Sequence, residues 1–427
     1  MDLYRVYLNN PIVITDTRKI EKGAIFFALK GENFDGNKYA LGAIKNGCSY
    51  AIVDDKDIDR SDRIIIVENV LNTLQELASF HRKQLNIPII AITGTNGKTT
   101  TKELVSNVLS AKYNVAFTRG NLNNHIGVPL TLLSMTSSTE IGVVEMGANH
   151  QGEIKELCEI ANPNYGIITN IGKAHIEGFG SYGIIIKSKK ELYDFLNGNE
   201  GKVFVNGENE LLSQLVKDLK LETESYNSKL SKVRGESLST NKFLNVKVTI
   251  HSTEYLVHTQ MIGNYNLENL LAAICIGNYF RVSDNDIIKS IKEYVPQNNR
   301  SQFVATEINS LIMDAYNANP TSVMAALENF ITLDLSNKCV IFGDMLELGD
   351  VSKSEHVLLV NFLKEQDFDH IILVGNIYSS IDVPNNMKQF SDVDELNNWL
   401  QLNKIYGSNV LIKGSRGIQL ERVVKYL

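Results

Sequence analysis

Gly94-Thr95-Asn96-Gly97-Lys98-Thr99-Thr100 have the types and spacing to hold a phosphate group. Glycines let the backbone turn tightly with its amides pointing inward, Lys98 offers a point charge, and the Thr99 hydroxyl offers a ligand for Mg2+. The strict long form of this loop begins with a glycine where this chain has Ile92, so the flanking elements must support the reading. Glu145 ends the hydrophobic run "IGVVE", where a carboxylate can hold a phosphate-bridging Mg2+ or simply cap a surface strand. His175 follows "YGIITNIGKA" and is either a metal ligand at the same sheet edge or a structural histidine. Lys187, Lys189 and Lys190 open a helical pattern whose default reading is a solvated face. Asn266 and Asn269 stand near a helix start, where asparagine often caps. Asp314 closes "SLIMD", a strand end that can hold ribose hydroxyls.

These groups need a scaffold that brings strand ends together. Ile87 to Ile92 is an apolar run that predicts a strand buried on both faces. Leu104, Val105, Val108 and Leu109 then follow at helical spacing. Strand, turn and helix N-terminus together make the phosphate cradle. Upstream, residues 24–29, 50–55 and 63–69 predict strands, with helices over 39–45 and 71–85. Downstream, residues 141–147 and 165–172 predict further strands, and "NVKVTIHSTEYLVH" (245–258) alternates as sheet-edge material. "VPQNNRSQF" (295–303) predicts a linker. Beyond it, "SLIMDAYNANP", "KCVIFGD", "HIILVGN" and "NVLIKGS" are strand-to-turn transitions of a doubly wound domain. The expected architecture is three α/β domains. These span residues 1–86, 87–298 and 299–427; the central one is P-loop ATPase-like with a mostly parallel sheet and the last is Rossmann-like.

The bulk numbers agree. At 427 residues the chain is long for one core, and 43% hydrophobic with 21% charged residues is an ordinary soluble composition. A net charge of -7 without a dense basic block argues against nucleic-acid binding. Cys48, Cys158, Cys275 and Cys339 lie far apart and form no CxxC pair, so buried reduced thiols are expected rather than zinc or disulfides. The start, "MDLYRVYLNNPIVITDTR", carries charges throughout, unlike a signal peptide, and no apolar run is long enough to span a bilayer. A cytoplasmic protein is expected.

The order of the motifs resembles the Mur ligase superfamily nearly from end to end. The resemblance rests on "DTRKIEKGAIFFALKGENFDG" (16–36), "TGTNGKTTTKE" (93–103), "RGNLNNHIGVPLTLL" (119–133) and "VEMGANHQGEI" (144–154). It continues through "NIGKAHIEGFGS" (170–181), "DAYNANPTSVMAAL" (314–327), "GDMLELG" (343–349) and "KGSRGIQLE" (413–421). It implies an ATP-dependent amide ligase that completes a peptidoglycan precursor, joining D-alanyl-D-alanine to UDP-N-acetylmuramoyl-tripeptide through an acyl phosphate. Other amino acid ligases of the superfamily are the alternative. A nucleotide-hydrolysing switch or a degenerate binding module are readings from other classes.

By the same resemblance the first domain holds the UDP end, the central one ATP and the third the dipeptide. Lys98 and Thr99 would contact phosphates and Mg2+, and Glu145 and His175 would help place metal ions. Asn266 and Asn269 would lie near adenine, and Arg300 and Asp314 near the phosphates and ribose. One lysine would be carbamylated, and the register points to Lys189, although Ser188 replaces the usual alanine before it. Tyr265 replaces the usual histidine of the adenine motif. Thr17, Arg18, Asp35 and Gly36 are candidates for the UDP end. Asn123 and Asn124 are substrate-facing or turn residues, and Asn317, Asn319, Ser415 and Arg416 are candidates for the dipeptide. Nothing demands more than a monomer.

Overall fold

A computed structural model describes residues 2–59, 61–174, 176–238, 242–297 and 299–427. Its strands form three large sheets, each built from a separate stretch of chain. The first pairs Val13–Ile14, Ile25–Phe27, Tyr50–Val53 and Ile64–Ile66 in sequence order, all parallel. A short hairpin, Lys30–Gly31 with Phe34–Asp35, projects from it. Helix Val70–Leu85 then leads into the central sheet. Its Leu74, Leu77 and Ala78 share a core with Ile89 and Ala91, so the first two sheets are packed through one apolar cluster.

The central sheet has nine strands. Seven pair in parallel, in the order Val233–Ser237, Glu222–Tyr226, Lys202–Asn206, Tyr165–Ile168, Ile89–Thr93, Ile141–Glu145 and Val115–Phe117. Alternation explains why the middle strand reads as a continuous apolar run. Ile89 and Ala91 face helices Gly127–Leu133, Glu153–Ala161 and Tyr182–Gly198, whereas Ile90 and Ile92 face Lys98–Ser110 and Leu267–Tyr279. Burying both faces stabilises this strand by roughly 1.5–3 kcal/mol per large side chain. Beyond Val233–Ser237 the far edge turns antiparallel, with Phe243–Ile250 and then Thr253–Ile262. The alternating run at 245–258 is thus two strands of a hairpin that turns at His251, whose φ is +54°.

The third sheet is ordered Gln302–Ala305, Ser310–Asp314, Asn409–Lys413, Lys338–Gly343, His370–Val374 and Met387–Phe390. Only the first pair is antiparallel, and helices cover both faces in the doubly wound manner expected. The expected linker is shorter than 295–303, because Gln302 and Phe303 already pair with Met313 and Ile312. The four cysteines are free and buried, and no described helix is long and apolar enough to cross a membrane.

His356 is fully buried in the third domain's core, and its hydrogen bonds lead us to expect this part of the fold to be sensitive to acid. Its Nε2 accepts the Met345 amide at 3.0 Å, so the proton sits on Nδ1, which donates to the Ser352 carbonyl at 2.7 Å. Protonating Nε2 would set one N–H against another. Burial accordingly holds this histidine below its ordinary 6.5, despite Asp344 nearby. With the folded value depressed, the unfolded chain binds the proton first. Stability is therefore complete above about pH 6.5 and falls as pH drops from there toward the folded value, with a limiting slope of about 1.4 kcal/mol per unit. His81 is depressed by burial in the same sense, so the comparison must be between variants. His356→Gln is expected to flatten the acid side of a plot of urea midpoint against pH. A variant with the parent's slope would refute the assignment.

Candidate active site

The phosphate loop leaves strand Ile89–Thr93 at Gly94, whose φ is +144°, and enters helix Lys98–Ser110 at Gly97, whose φ is +79°. Both glycines are also required by space. A Cβ on Gly94 would lie 2.0 Å from the Thr169 hydroxyl, and one on Gly97 would lie 2.5 Å from Asn269 Oδ1. The loop is braced from the neighbouring strand end. Asn170 accepts the Asn96 amide at 3.0 Å and donates to its carbonyl at 3.0 Å, while Thr95 Oγ1 accepts the Gly172 amide at 2.9 Å.

Lys98 folds back over this loop, donating from Nζ to the Gly94 and Thr95 carbonyls at 2.6 and 2.9 Å. Burial pulls it down to about 8, with Glu145 opposing the shift and Arg300 adding to it. Glu145 comes from the adjacent parallel strand, in register with Ile92. Its Oε1 accepts from Thr99 Oγ1 at 3.2 Å and from Asn123 Nδ2 at 2.8 Å. Its Oε2 is buried without a hydrogen-bond partner, and buried Lys102 lies 3.8 Å away. A buried acceptor without a donor is costly, and it marks a place where a cation fits.

Opposite lies the edge of the third sheet. Asp314 and Lys413 end neighbouring parallel strands in register, and Lys413 Nζ donates to Asp314 Oδ2 at 2.6 Å and to the Asn317 carbonyl at 3.2 Å. Asp314 Oδ1 also accepts the Ser301 amide at 3.2 Å. Arg300 stacks 3.6 Å from the Tyr316 ring centre, with its buried Nε unpaired. Asn319 caps helix Pro320–Thr332 and donates to Asn96 Oδ1 at 2.8 Å, a direct bond between third domain and phosphate loop. The cleft enclosed between the two sheet edges has a volume of about 770 Å³. Two strand-end sets of polar groups thus face one cavity, as expected for a ligand site in open α/β sheets.

The expected residues divide into three groups. Thr95 to Thr100, Asn123, Asn124 and Glu145 line the cleft from the central sheet. Asn266 and Asn269, at the start of helix Leu267–Tyr279, line it from the same central domain, and Arg300, Asp314, Asn317 and Asn319 line it from the opposite side. Gly94 shapes the loop from behind. Lys189 is 3% exposed beneath the cleft, its Nζ 3.5 Å from the Ala148 carbonyl and 5.4 Å from the Phe179 ring centre. Burial, then the charge of Lys98, pulls it down to about 7. Lys187 is exposed, and Lys190 is paired with Asp194 on the surface, so of the three lysines Lys189 alone turns inward. Ser415 is buried below the rim, accepting the Leu346 amide at 2.9 Å, and Arg416 lies 5.4 Å from the Tyr316 ring. Thr17, Arg18, Asp35 and Gly36 belong to the first domain and do not line this cleft; Arg18 is paired with Asp16, and Asp35 caps its own turn. His175 lies outside the described residues.

Lys102, Tyr316 and Lys413 were not singled out from the sequence. A charged residue three positions after Thr99 reads as solvent-facing, whereas Lys102 is 1% exposed. Lys413 ends a strand at the same edge as Asp314, and that shared position was the available signal.

Residues 11–92, 92–277 and 299–416 match, in turn, the Mur ligase family catalytic domain, the Mur ligase middle domain and the Mur ligase glutamate ligase domain. The UDP-N-acetylmuramoyl-tripeptide--D-alanyl-D-alanine ligase of Bacillus subtilis (strain 168) is 33% identical over 97% of this chain and 92% of its own length. The chain belongs to the Mur ligase family. A crystal structure of MurF from Acinetobacter baumannii superposes on this Mur ligase with a TM-score of 0.87 at 32% identity, over 97% of this chain and 92% of that one. MurF ligase from Thermotoga maritima, solved in complex with ADP, gives 0.86 at 26% identity over 100% and 98%. Both similarities span all three sheets, so the cleft between the second and third is a feature of the shared architecture.

Proposed function

We propose that this Mur ligase joins the amine of D-alanyl-D-alanine to the terminal carboxylate of UDP-N-acetylmuramoyl-tripeptide, with conversion of ATP to ADP and phosphate. The observation that carries the reading is the convergence of Lys98, Thr99 and the half-satisfied Glu145 on one cleft, closed from above by the Asp314–Lys413 edge.

A carboxylate is a poor electrophile, because it is an anion with an oxide leaving group. Transfer of the γ-phosphoryl group to it gives an acyl phosphate, and the dipeptide amine then attacks the carbonyl carbon and expels phosphate. Two anions must approach each other in the first step, so the site must supply positive charge without water. Lys98 and the loop amides do this from the phosphate side. Thr99 and Glu145 offer the hard oxygen donors that suit Mg2+, which when bound would neutralise charge on the phosphates. Lys102 holds the Glu145 carboxylate in place from below. Lys189, as its carbamate, would add a second anionic oxygen donor beside them. The first domain would hold the UDP end, the ribose would lie near Asp314, and the dipeptide near Asn317 and Arg416. A monomer in the cytoplasm suffices for this chemistry, and the proposed domain limits are 1–86, 87–298 and 299–427.

Phosphate release by the purified chain with Mg-ATP is expected only when both UDP-N-acetylmuramoyl-tripeptide and D-alanyl-D-alanine are present, with one peptide bond formed per phosphate. Release that ignores both partners would sink the ligase reading.

A further inference from the structure

Lys102 stands about one turn beyond Thr99 on helix Lys98–Ser110, buried beneath the cleft rather than lining it. Its Nζ lies 3.8 Å from Glu145 Oε2 and 4.0 Å from Glu103 Oε1. Both are distances of ion pairs rather than hydrogen bonds. Glu103 is engaged elsewhere, because its Oε2 accepts the Tyr294 hydroxyl at 2.7 Å. On Glu145, Oε1 is taken by Thr99 and Asn123, so Oε2 is the oxygen left to the lysine. This same oxygen is the one on which a cation would fit.

Positive charge is crowded around this carboxylate. Glu145 favours the charges of both Lys98 and Lys102, Arg300 opposes both, and Arg119 opposes Lys102 as well. Lys98 turns its Nζ to the loop carbonyls, whereas Lys102 stays on Glu145. A lysine so deeply buried keeps its charge only while carboxylates face it. A divalent cation on Glu145 would draw that compensation away and add a repulsion of its own, at short range and away from bulk water. Nucleotide phosphates bring the negative charge that offsets this cost. The site therefore suits a metal that arrives with phosphates and disfavours one that arrives alone.

We propose that Lys102 is the built-in counter-ion of Glu145 and suppresses the binding of a divalent cation that comes without a nucleotide. It is a positioning residue, which acts through Glu145 and touches no substrate. The inference rests on the reading of Glu145 as a place for a cation, but not on the identity of the amino acid or peptide substrates.

The test is titration of the full chain with Mn2+ alone, following the free ion by electron paramagnetic resonance. The parent is expected to bind weakly. Lys102→Met, which keeps most of the stem and removes the charge, should bind about tenfold more tightly or better. Lys102→Arg keeps the charge and should bind as weakly as the parent. A packing role would weaken binding in both variants, so the pair separates charge from structure. Adding Glu145→Gln to Lys102→Met should abolish the gain. Where Lys102→Met does not fold, Lys102→Gln makes the same measurement. A neutral variant that binds Mn2+ no more tightly than the parent overturns the proposal, as does a gain that survives Glu145→Gln. Failure of the ligase reading would show separately, as phosphate release that ignores both partners.

Discussion

Lys98→Met is expected to lower phosphate release by about three orders of magnitude or more while leaving a folded protein. The ammonium is the one loop cation positioned to meet the outer phosphates, 2.6 and 2.9 Å from the Gly94 and Thr95 carbonyls it now contacts. Its energetic position separates catalysis from stability. Burial and the neighbouring Arg300 work against its charge, so the folded state gains little from keeping it there. Methionine retains most of the stem packing and removes the charge, and water in the cleft can satisfy the two carbonyls. The melting temperature should therefore stay within a few degrees of the parent's. Lys98→Arg should not restore the rate, because a planar guanidinium cannot occupy the pocket of a compact ammonium between those carbonyls. The measurements are single-turnover phosphate release and a thermal melt on each variant. A Lys98→Met protein retaining a tenth of the parent rate would show that the loop amides alone carry the charge, and the mechanism above would fail.

The phosphate loop was legible because three local signals coincide: a continuously apolar strand, a glycine turn and an amphipathic helix. Local periodicity also placed the strands ending at Asp314, Gly343, Val374 and Lys413. The meaning of the charges at strand ends was not local. Glu145 read equally well as a surface residue until its strand was found beside Ile89–Thr93, with Glu145 level with Ile92. Asp314 and Lys413 are far apart in sequence, and only the parallel register Asp314↔Lys413 makes them a pair. Register between distant parallel strands is set by crossover packing, which periodicity cannot report. Lys102 was hidden for a related reason. A lysine is expected at the surface unless something compensates it, and its partner, Glu145, comes from the end of a strand distant in sequence. Asn266 and Asn269 line the cleft, and their hydrogen bonds to each other and to Thr101 and Ile262 fix the helix start beside the phosphate loop.

Lys189→Ala is expected to lower the ligase rate by about a hundredfold or more, with partial restoration by a small carboxylate such as propionate added to solution. The parent amine is buried beneath the cleft, and its one hydrogen bond is long, 3.5 Å to the Ala148 carbonyl. It lies against the Phe179 ring and, among the described residues, pairs with no carboxylate. A permanently charged lysine would be costly in that setting, whereas the neutral amine is a competent nucleophile toward CO2. Its nitrogen would attack the carbon, with an electron pair moving to oxygen and the N–H proton leaving to solvent, to give an anionic carbamate. That anion would sit beside the buried Lys98 charge, turning a repulsion into an attraction. The pH sense follows from the amine. Below about 7 it is protonated and unreactive, so activity should be lost on the acid side and restored by bicarbonate above it. Lys189→Arg, which keeps a cation and cannot form the carbamate, should be as inactive as the alanine variant and should not respond to propionate. Carbon-13 bicarbonate should give a carbamate resonance in the parent that is missing from Lys189→Ala. A Lys189→Arg protein with near-parent activity would mean that a cation is what the site needs there, and the carbamate reading would be wrong.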